Sequence, residues 1–312
     1  GILPREGFSL FGRSIWLGAA LLIAAPCTVL ATEPETVEYA PSSHWHLDYA
    51  EAHCRIVRTF GEGDDRTVLF LQQYDPSEAA YWLVAGGLVD KLGSRQKYTV
   101  QFGPASMFNK TKPRANVTLG DFGDALQGFL GHAMQDRTKD AGADEKIEDS
   151  AREPIGLPAL SSAYGESIEW MEFSRRGKHY RLKTGELGAV FDAMNTCMAS
   201  LVKSWGADPS LMKSRATEPV MTNFSQVSAK IRGAYPWKAQ RNGESATLLV
   251  RAMVDSAGAM TSCHITEMTE AINFNVAACD TLRQMATFEP ARDTAGNAIA
   301  SYYTRKIYYV TY

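Results

Sequence analysis

Thr247-Leu248-Leu249-Val250-Arg251-Ala252-Met253-Val254, followed by Asp255-Ser256-Ala257-Gly258 and then by residues 260–267, decides the fold. Side chains alternate faces along a strand, so Leu248, Val250, Ala252 and Val254 share one face and Leu249, Arg251 and Met253 the other. Asp255-Ser256-Ala257-Gly258 reads as a tight turn whose glycine is free to take positive φ. The pattern predicts an antiparallel pair of strands.

Upstream stands Val227-x-x-Lys230-Ile231-x-x-Ala234-Tyr235-Pro236-Trp237-x-Ala239, then Gly243. Pro236 suits the first turn of a short helix, and Tyr235 reads as a core residue. Downstream, a helix is predicted from about Asn273, a suitable cap, through Met285, with Phe274, Ala278, Leu282 and Met285 on one stripe. Phe288-x-Pro290-Ala291-x-Asp293-x-x-Gly296 is an irregular return. Residues 301–312 are dense in β-favouring side chains and read as a last strand.

This order resembles the C-terminal domain of the TonB family, carried by Tyr235-Pro236-x-x-Ala239, Val254-Asp255-x-x-Gly258, Phe274-x-x-x-Ala278 and Phe288-x-Pro290-Ala291-x-Asp293. The family usually has a second glycine before the strand; here Glu244-Ser245-Ala246 stands instead, so that turn is altered. The resemblance implies a three-stranded antiparallel sheet with two helices, and a protein-binding module rather than an enzyme. It also implies capture of an extended segment, such as part of an outer-membrane transporter, by strand addition at a sheet edge. Tyr235, Pro236, Trp237, Tyr302 and Tyr308 are the candidate partner contacts. Residues 302–309 are a candidate edge for a homodimer.

The N-terminal half reads as an α+β domain. Strands are predicted over 55–60, 67–72, 81–92 and 97–102, with a turn at Gly61-Glu62-Gly63-Asp64-Asp65. Residues 167–174 and 178–182 form a predicted hairpin around Arg175, Arg176 and Lys178. A helix follows, with Leu187, Val190, Phe191, Met194, Met198, Leu201 and Val202 at helical spacing, closed by Trp205-Gly206. The expected architecture is an antiparallel sheet covered by one long helix, with residues 135–152 as a charged surface excursion. Trp45…Cys54-x-x-x-Arg58-x-Phe60-Gly61 with Cys197…Trp205-Gly206 is similar to a module of exported alphaproteobacterial proteins that carry TonB-type tails; no activity attaches to it. His44, His46, His53 and Asp48 are the one conceivable metal set. Two of those histidines fall near a mobile start, which disfavours binding. No nucleophile elbow, zinc-protease helix or phosphate loop occurs, so no catalytic residue and no cofactor is assigned.

The chain has 312 residues, a net charge of −3 and 45% hydrophobic residues, which suits folded domains and gives no bulk attraction to nucleic acid. Arg5 and Arg13 precede an apolar run over 15–25, and Val29-Leu30-Ala31 fits a signal-peptide cleavage site. Pro26 argues against lipid attachment at Cys27. The expected organisation is a signal peptide over 1–31, a flexible leader over 32–44, the α+β domain over 45–206, a linker over 207–227 and the TonB-like domain over 228–312. Cys54, Cys197, Cys263 and Cys279 then remain and allow three pairings. Cys54–Cys197 and Cys263–Cys279 are favoured because each lies inside one proposed domain.

Those features point to a periplasmic binding or adaptor protein. The alternative is an inner-membrane-anchored TonB-type transducer serving transmembrane transport, with the leader uncut. Against it, the connector reaches only roughly 75 Å at about 3.3 Å per residue, and no Pro-rich spacer is present. An unrecognised enzyme in the N-terminal half is a third possibility, which predicts a concave polar pocket.

Overall fold

The computed structural model describes residues 1, 35–93, 98–104, 109–111, 117–130, 154–267 and 278–309. The leader and its cleavage site, the excursion over 135–152, the helix start at Asn273 and Phe274, and residues 310–312 lie outside the described residues. The chain divides into two compact units, Gly1–Glu33 and Pro34–Tyr312, and all elements below belong to the second.

That unit begins with β1 (Thr36–Tyr39), β2 (His46–Tyr49), β3 (Cys54–Phe60), β4 (Thr67–Gln73), β5 (Ala80–Gly86) and α1 (Gly87–Leu92). Next come β6 (Tyr98–Pro104), β7 (Asn109–Thr111), β8 (Val117–Thr118) and β9 (Asp124–Leu130). The N-terminal half ends with α2 (Ser162–Glu166), β10 (Ile168–Arg175), β11 (Lys178–Leu182) and α3 (Gly188–Trp205). The connector supplies α4 (Pro209–Met212), β12 (Arg215–Thr217) and β13 (Val220–Met221). The C-terminal part holds α5 (Phe224–Gly233), α6 (Trp237–Arg241), β14 (Ala246–Val254), β15 (Met260–Glu267) and α7 (Ala278–Met285). It closes with β16 (Phe288–Glu289), β17 (Ala291–Asp293), β18 (Ala298–Ile299) and β19 (Ser301–Tyr309).

The α+β class holds, and the N-terminal strands divide between two sheets, ordered β1-β11-β10-β6-β7 and β2-β3-β4-β5-β9-β8. Leu69, Leu71, Trp82 and Val84 of one sheet meet Val100, Phe102, Met171 and Phe173 of the other in a single core. Alternation reveals which face of a strand is buried, but not which sheet the strand joins. The 81–92 segment, expected as one strand, turns at Gly86 (φ 98°) into α1, because its continuous apolar run carries no period to separate strand from helix. The leader expected to be flexible over 32–44 contains β1, paired in parallel with β11 and anchored by the buried Tyr39. α3 follows the expected span and ends at Gly206 in the left-handed region.

The module-like motif is structural. Arg58 donates to the carbonyls of Ser43 and Thr184, and its guanidinium lies 5.5 Å from the Trp45 ring and 5.9 Å from that of Phe60. The sulfurs of Cys54 and Cys197 are at bonding distance, tying β3 to α3, and those of Cys263 and Cys279 tie β15 to α7.

The C-terminal sheet is antiparallel, ordered β15-β14-β19, with β14 central. On one face Val227 and Ile231 of α5 and Ala278 and Leu282 of α7 pack over Val250. Gly258 makes the β14–β15 turn at φ 83°, where an added Cβ would stand 2.5 Å from the Phe288 carbonyl oxygen. The opposite face is buried too. Leu249 packs with Tyr74, and Met253 and Tyr302 with Val202, Ala207 and Met212. The Arg251 guanidinium lies 3.3 Å from the centre of the Trp205 ring. The two halves therefore share a sheet face.

The connector, expected as a polar linker, is folded. β12 pairs with β17 and β13 with β16. Arg215 is fully buried and donates to the Gly156 carbonyl at 3.1 Å and to Ser301 Oγ at 3.3 Å. Its polar composition conceals Met212 and Met221, which are core residues.

Candidate functional site: the outer edge of β19

β19 pairs along its whole length with β14, from Ser301 opposite Val254 to Tyr309 opposite Ala246. It ends the sheet, and among the described residues no strand pairs with its outer edge. A strand edge in that position presents every second N–H and C=O outward.

Beside the edge runs a groove. One stretch of about 230 Å³ has walls formed by Phe224, Val227 and Ile231 on the α5 side and by Tyr303, Arg305 and Ile307 of β19, with Val250 and Leu282 behind. A second stretch, of about 240 Å³, continues past Glu218, Pro219, Val220 and Met221 toward Tyr302. α5 forms that wall because Val227 and Ile231 recur at helical spacing and are buried, which leaves Phe224 on the rim at 41% exposure. Arg305 crosses the rim, its guanidinium 4.9 Å from the Phe224 ring and 5.9 Å from that of Tyr303. Arg232 and Arg305 make this lining cationic, the Lys306 ammonium lies on the other face of β19 by the Tyr81 ring, and Glu218 is an acid at the far end.

An apolar groove with a cationic rim beside the outer edge of a terminal strand can take up an extended chain through main-chain hydrogen bonds, with side chains sorted by the groove. Residues 232–311 match the family model of the Gram-negative bacterial TonB protein C-terminal. No curated protein and no solved structure matches the chain. TonB C-terminal domains are non-enzymatic modules of the Gram-negative cell envelope that interact with proteins such as outer-membrane transporters. The matched span contains α6, β14 to β19 and α7; Phe224 and Met221, which wall the groove, lie upstream of it.

The candidate contacts of the TonB-type domain scatter. Tyr235 is half-buried, donates to the Glu244 carbonyl at 2.5 Å and meets the Tyr309 ring edge-on at 5.1 Å, so it fastens the altered turn to the end of β19. Pro236 caps α6. Trp237 is 65% exposed but lies away from the groove, whereas Tyr308, 63% exposed, borders it at the outer edge of β19. Tyr302 is corrected from contact to core. It is 6% exposed, packed against Trp205 and 5.4 Å from the Arg215 guanidinium, because even-numbered residues of β19 face the N-terminal half. Burial pushes its phenol well above the usual range.

Phe224, Arg305 and Met221 went unread in the sequence. Phe224 stands at i−3 and i−7 from Val227 and Ile231, a spacing that would have included it had the helix been started earlier. The histidine set is dispersed. His53 packs on Tyr74, and Asp48 is paired with Arg55 at 2.5 Å. Among the described residues no cluster of three such side chains could hold a metal.

Proposed function

We propose that the protein is a periplasmic binding or adaptor protein that accepts an extended segment of a partner protein as a further strand on β19. The reading assigns it no catalytic step. The observation that carries it is the outer edge of β19, with which no strand among the described residues pairs, beside an apolar groove. The folded connector favours an adaptor over a motor-coupled transducer, since residues that would have to span the periplasm are instead paired with β16 and β17.

A photo-crosslinking phenylalanine analogue at Tyr308 tests the edge in cells, with the same group at Lys178, the exposed first residue of β11, as control. The expected result is a crosslink from position 308 alone, mapping to one extended segment of an envelope protein. Equal crosslinking from both positions, or none from 308, would sink the reading. The intact, non-reduced mass of protein from separated periplasmic and inner-membrane fractions decides the compartment. A membrane-bound species that keeps residues 1–31 would replace the adaptor with the transducer.

A further inference from the structure

The C-terminal sheet lies across the N-terminal strands in matching order. His264 of β15 is within electrostatic reach of Glu51, in the turn between β2 and β3. Leu249 of β14 packs on Tyr74, just past the end of β4. Lys306, the register partner of Leu249 on β19, places its ammonium 5.2 Å from the ring of Tyr81 on β5. The next strand in the N-terminal sheet is β9, and among the described residues no strand takes the next place in the C-terminal sheet. Opposite that place stands Phe129 of β9, 49% exposed, its ring edge-on to Tyr81 at 5.2 Å and 5.6 Å from the Lys306 ammonium.

We propose that the N-terminal half supplies the second wall of the strand-acceptor site, with Phe129 and Lys306 selecting an extended protein segment that alternates acidic and apolar residues. The inference rests on the strand-acceptor reading and adds to it. A strand added to β19 turns alternate side chains to opposite faces. Those on one face enter the groove walled by Phe224, Ile231 and Tyr303, an apolar environment. Those on the other face meet Thr304, Lys306 and Tyr308 of β19 and, beyond them, Phe129. A carboxylate there reaches the exposed Lys306 ammonium, and its methylenes lie on the Phe129 ring. Arg305 and Arg232 add positive charge at the groove rim, so complementarity is acidic along the site. The N-terminal half thereby becomes part of the recognition surface as well as a support.

The test is selection of a phage-displayed library of short random peptides on the full-length oxidised protein, repeated on Lys306→Glu and Phe129→Ala. Both side chains are exposed enough for substitution without loss of the fold, and Lys306→Gln provides a milder second variant. Wild type is expected to enrich peptides with acidic residues at every second position. Lys306→Glu should shift that enrichment to basic residues. Phe129→Ala should weaken the selected peptide about fivefold, the size of one partly exposed aromatic contact. Hydrogen exchange with the selected peptide bound should show new protection of the β19 amides. Protection of β19 with no acidic enrichment, or with a charge preference unmoved by Lys306→Glu, overturns the second wall and leaves strand addition standing. Selected peptides that bind without protecting β19, or no enrichment at all, overturn both.

Discussion

Trp205→Ala probes the seam between the two halves. Trp205 lies at the end of α3, and Arg251, its partner on β14, is 6% exposed, so the stack at 3.3 Å is largely out of water. An arginine over tryptophan is worth about 2 kcal/mol when desolvated. The edge-on contact of Trp205 with Tyr302 at 6.5 Å adds about 1 kcal/mol. The indole N–H donated to the Glu51 carbonyl at 3.3 Å adds about 0.5 kcal/mol. The expected loss is therefore about 3–4 kcal/mol, carried by these specific contacts of a partly buried ring. Arg251→Met should cost far less, within about 1 kcal/mol, because it removes a charge that is costly to bury together with the contact. That cost shows in the Arg251 guanidinium, which burial pulls down to about 10 against the opposing field of Asp75. Urea unfolding of the two single variants and the double variant gives the coupling, expected near 2 kcal/mol, with one cooperative transition throughout. A coupling below about 0.5 kcal/mol would refute the stack as the link between the halves. A wild-type transition that separates into two would show that the shared face does not couple them.

The disulfides close loops with sequence separations of 143 and 16 residues, so removing Cys54–Cys197 should cost about 5 kcal/mol and Cys263–Cys279 about 3 kcal/mol in the loop-entropy account. Denaturant titration of the two alanine pairs checks the order, and a larger loss from the shorter loop would contradict it. Cys54 and Cys197 are fully buried whereas Cys263 is half-exposed, so limited reduction and alkylation should label Cys263 and Cys279 first by mass. Gly258→Ala should cost more than about 2 kcal/mol in thermal or urea unfolding, adding positive-φ strain to the clash with the Phe288 carbonyl. Burial pushes the Asp75 carboxyl upward, against the Thr304 hydroxyl, Lys306 and Arg251, which lower it. A carboxyl raised in the folded state binds protons more tightly than in the unfolded chain, so its penalty lessens as pH falls toward the ordinary value of 3.8. Wild type should therefore gain on Asp75→Asn as pH drops from about 7 to about 4, read as the difference between paired urea curves.

The elements around β14 were legible because each rule acted locally. Alternation over 247–254, the turn glycine Gly258 and the helical stripe of Ala278, Leu282 and Met285 all express contacts within a few residues or along one face. The burial of the second face of β14 was not read, although Leu249 and Met253 on that side carried the signal. A strand apolar on both faces needs a second layer, and here the layer is the N-terminal half. The connector misled for the opposite reason. Its prolines and charges look solvated, and only tertiary packing buries Arg215 against the Gly156 carbonyl and Ser301. The groove was illegible because its walls come from segments far apart in sequence, and Arg305 reveals nothing until it is seen over Phe224. Tyr302 was misassigned for the same reason, since aromatic density marks a strand without saying which face is open.

The connector also bears on how force could act on this protein. In a transducer the segment before the C-terminal domain is the tether through which a pull arrives. Here that segment is the outer wall of the groove. Val220 and Met221 pair with Glu289 and Phe288, Asn223 donates to the Met285 carbonyl, and Phe224 holds the rim beside Arg305. A pull applied at residue 207 would strip β12 and β13 from β17 and β16 before it reached β19, and would remove the groove wall while a partner strand still lay on the edge. Grip and tether would compete for the same residues. An adaptor has no such conflict, because its connector can stay folded while the partner is bound. The same geometry yields a discriminating measurement. A disulfide engineered between β13 and β16, through Val220→Cys and Glu289→Cys, should leave binding at β19 intact in an adaptor and abolish transport in a transducer. Transport that survives the locked connector would remove the conflict and, with it, the argument for an adaptor.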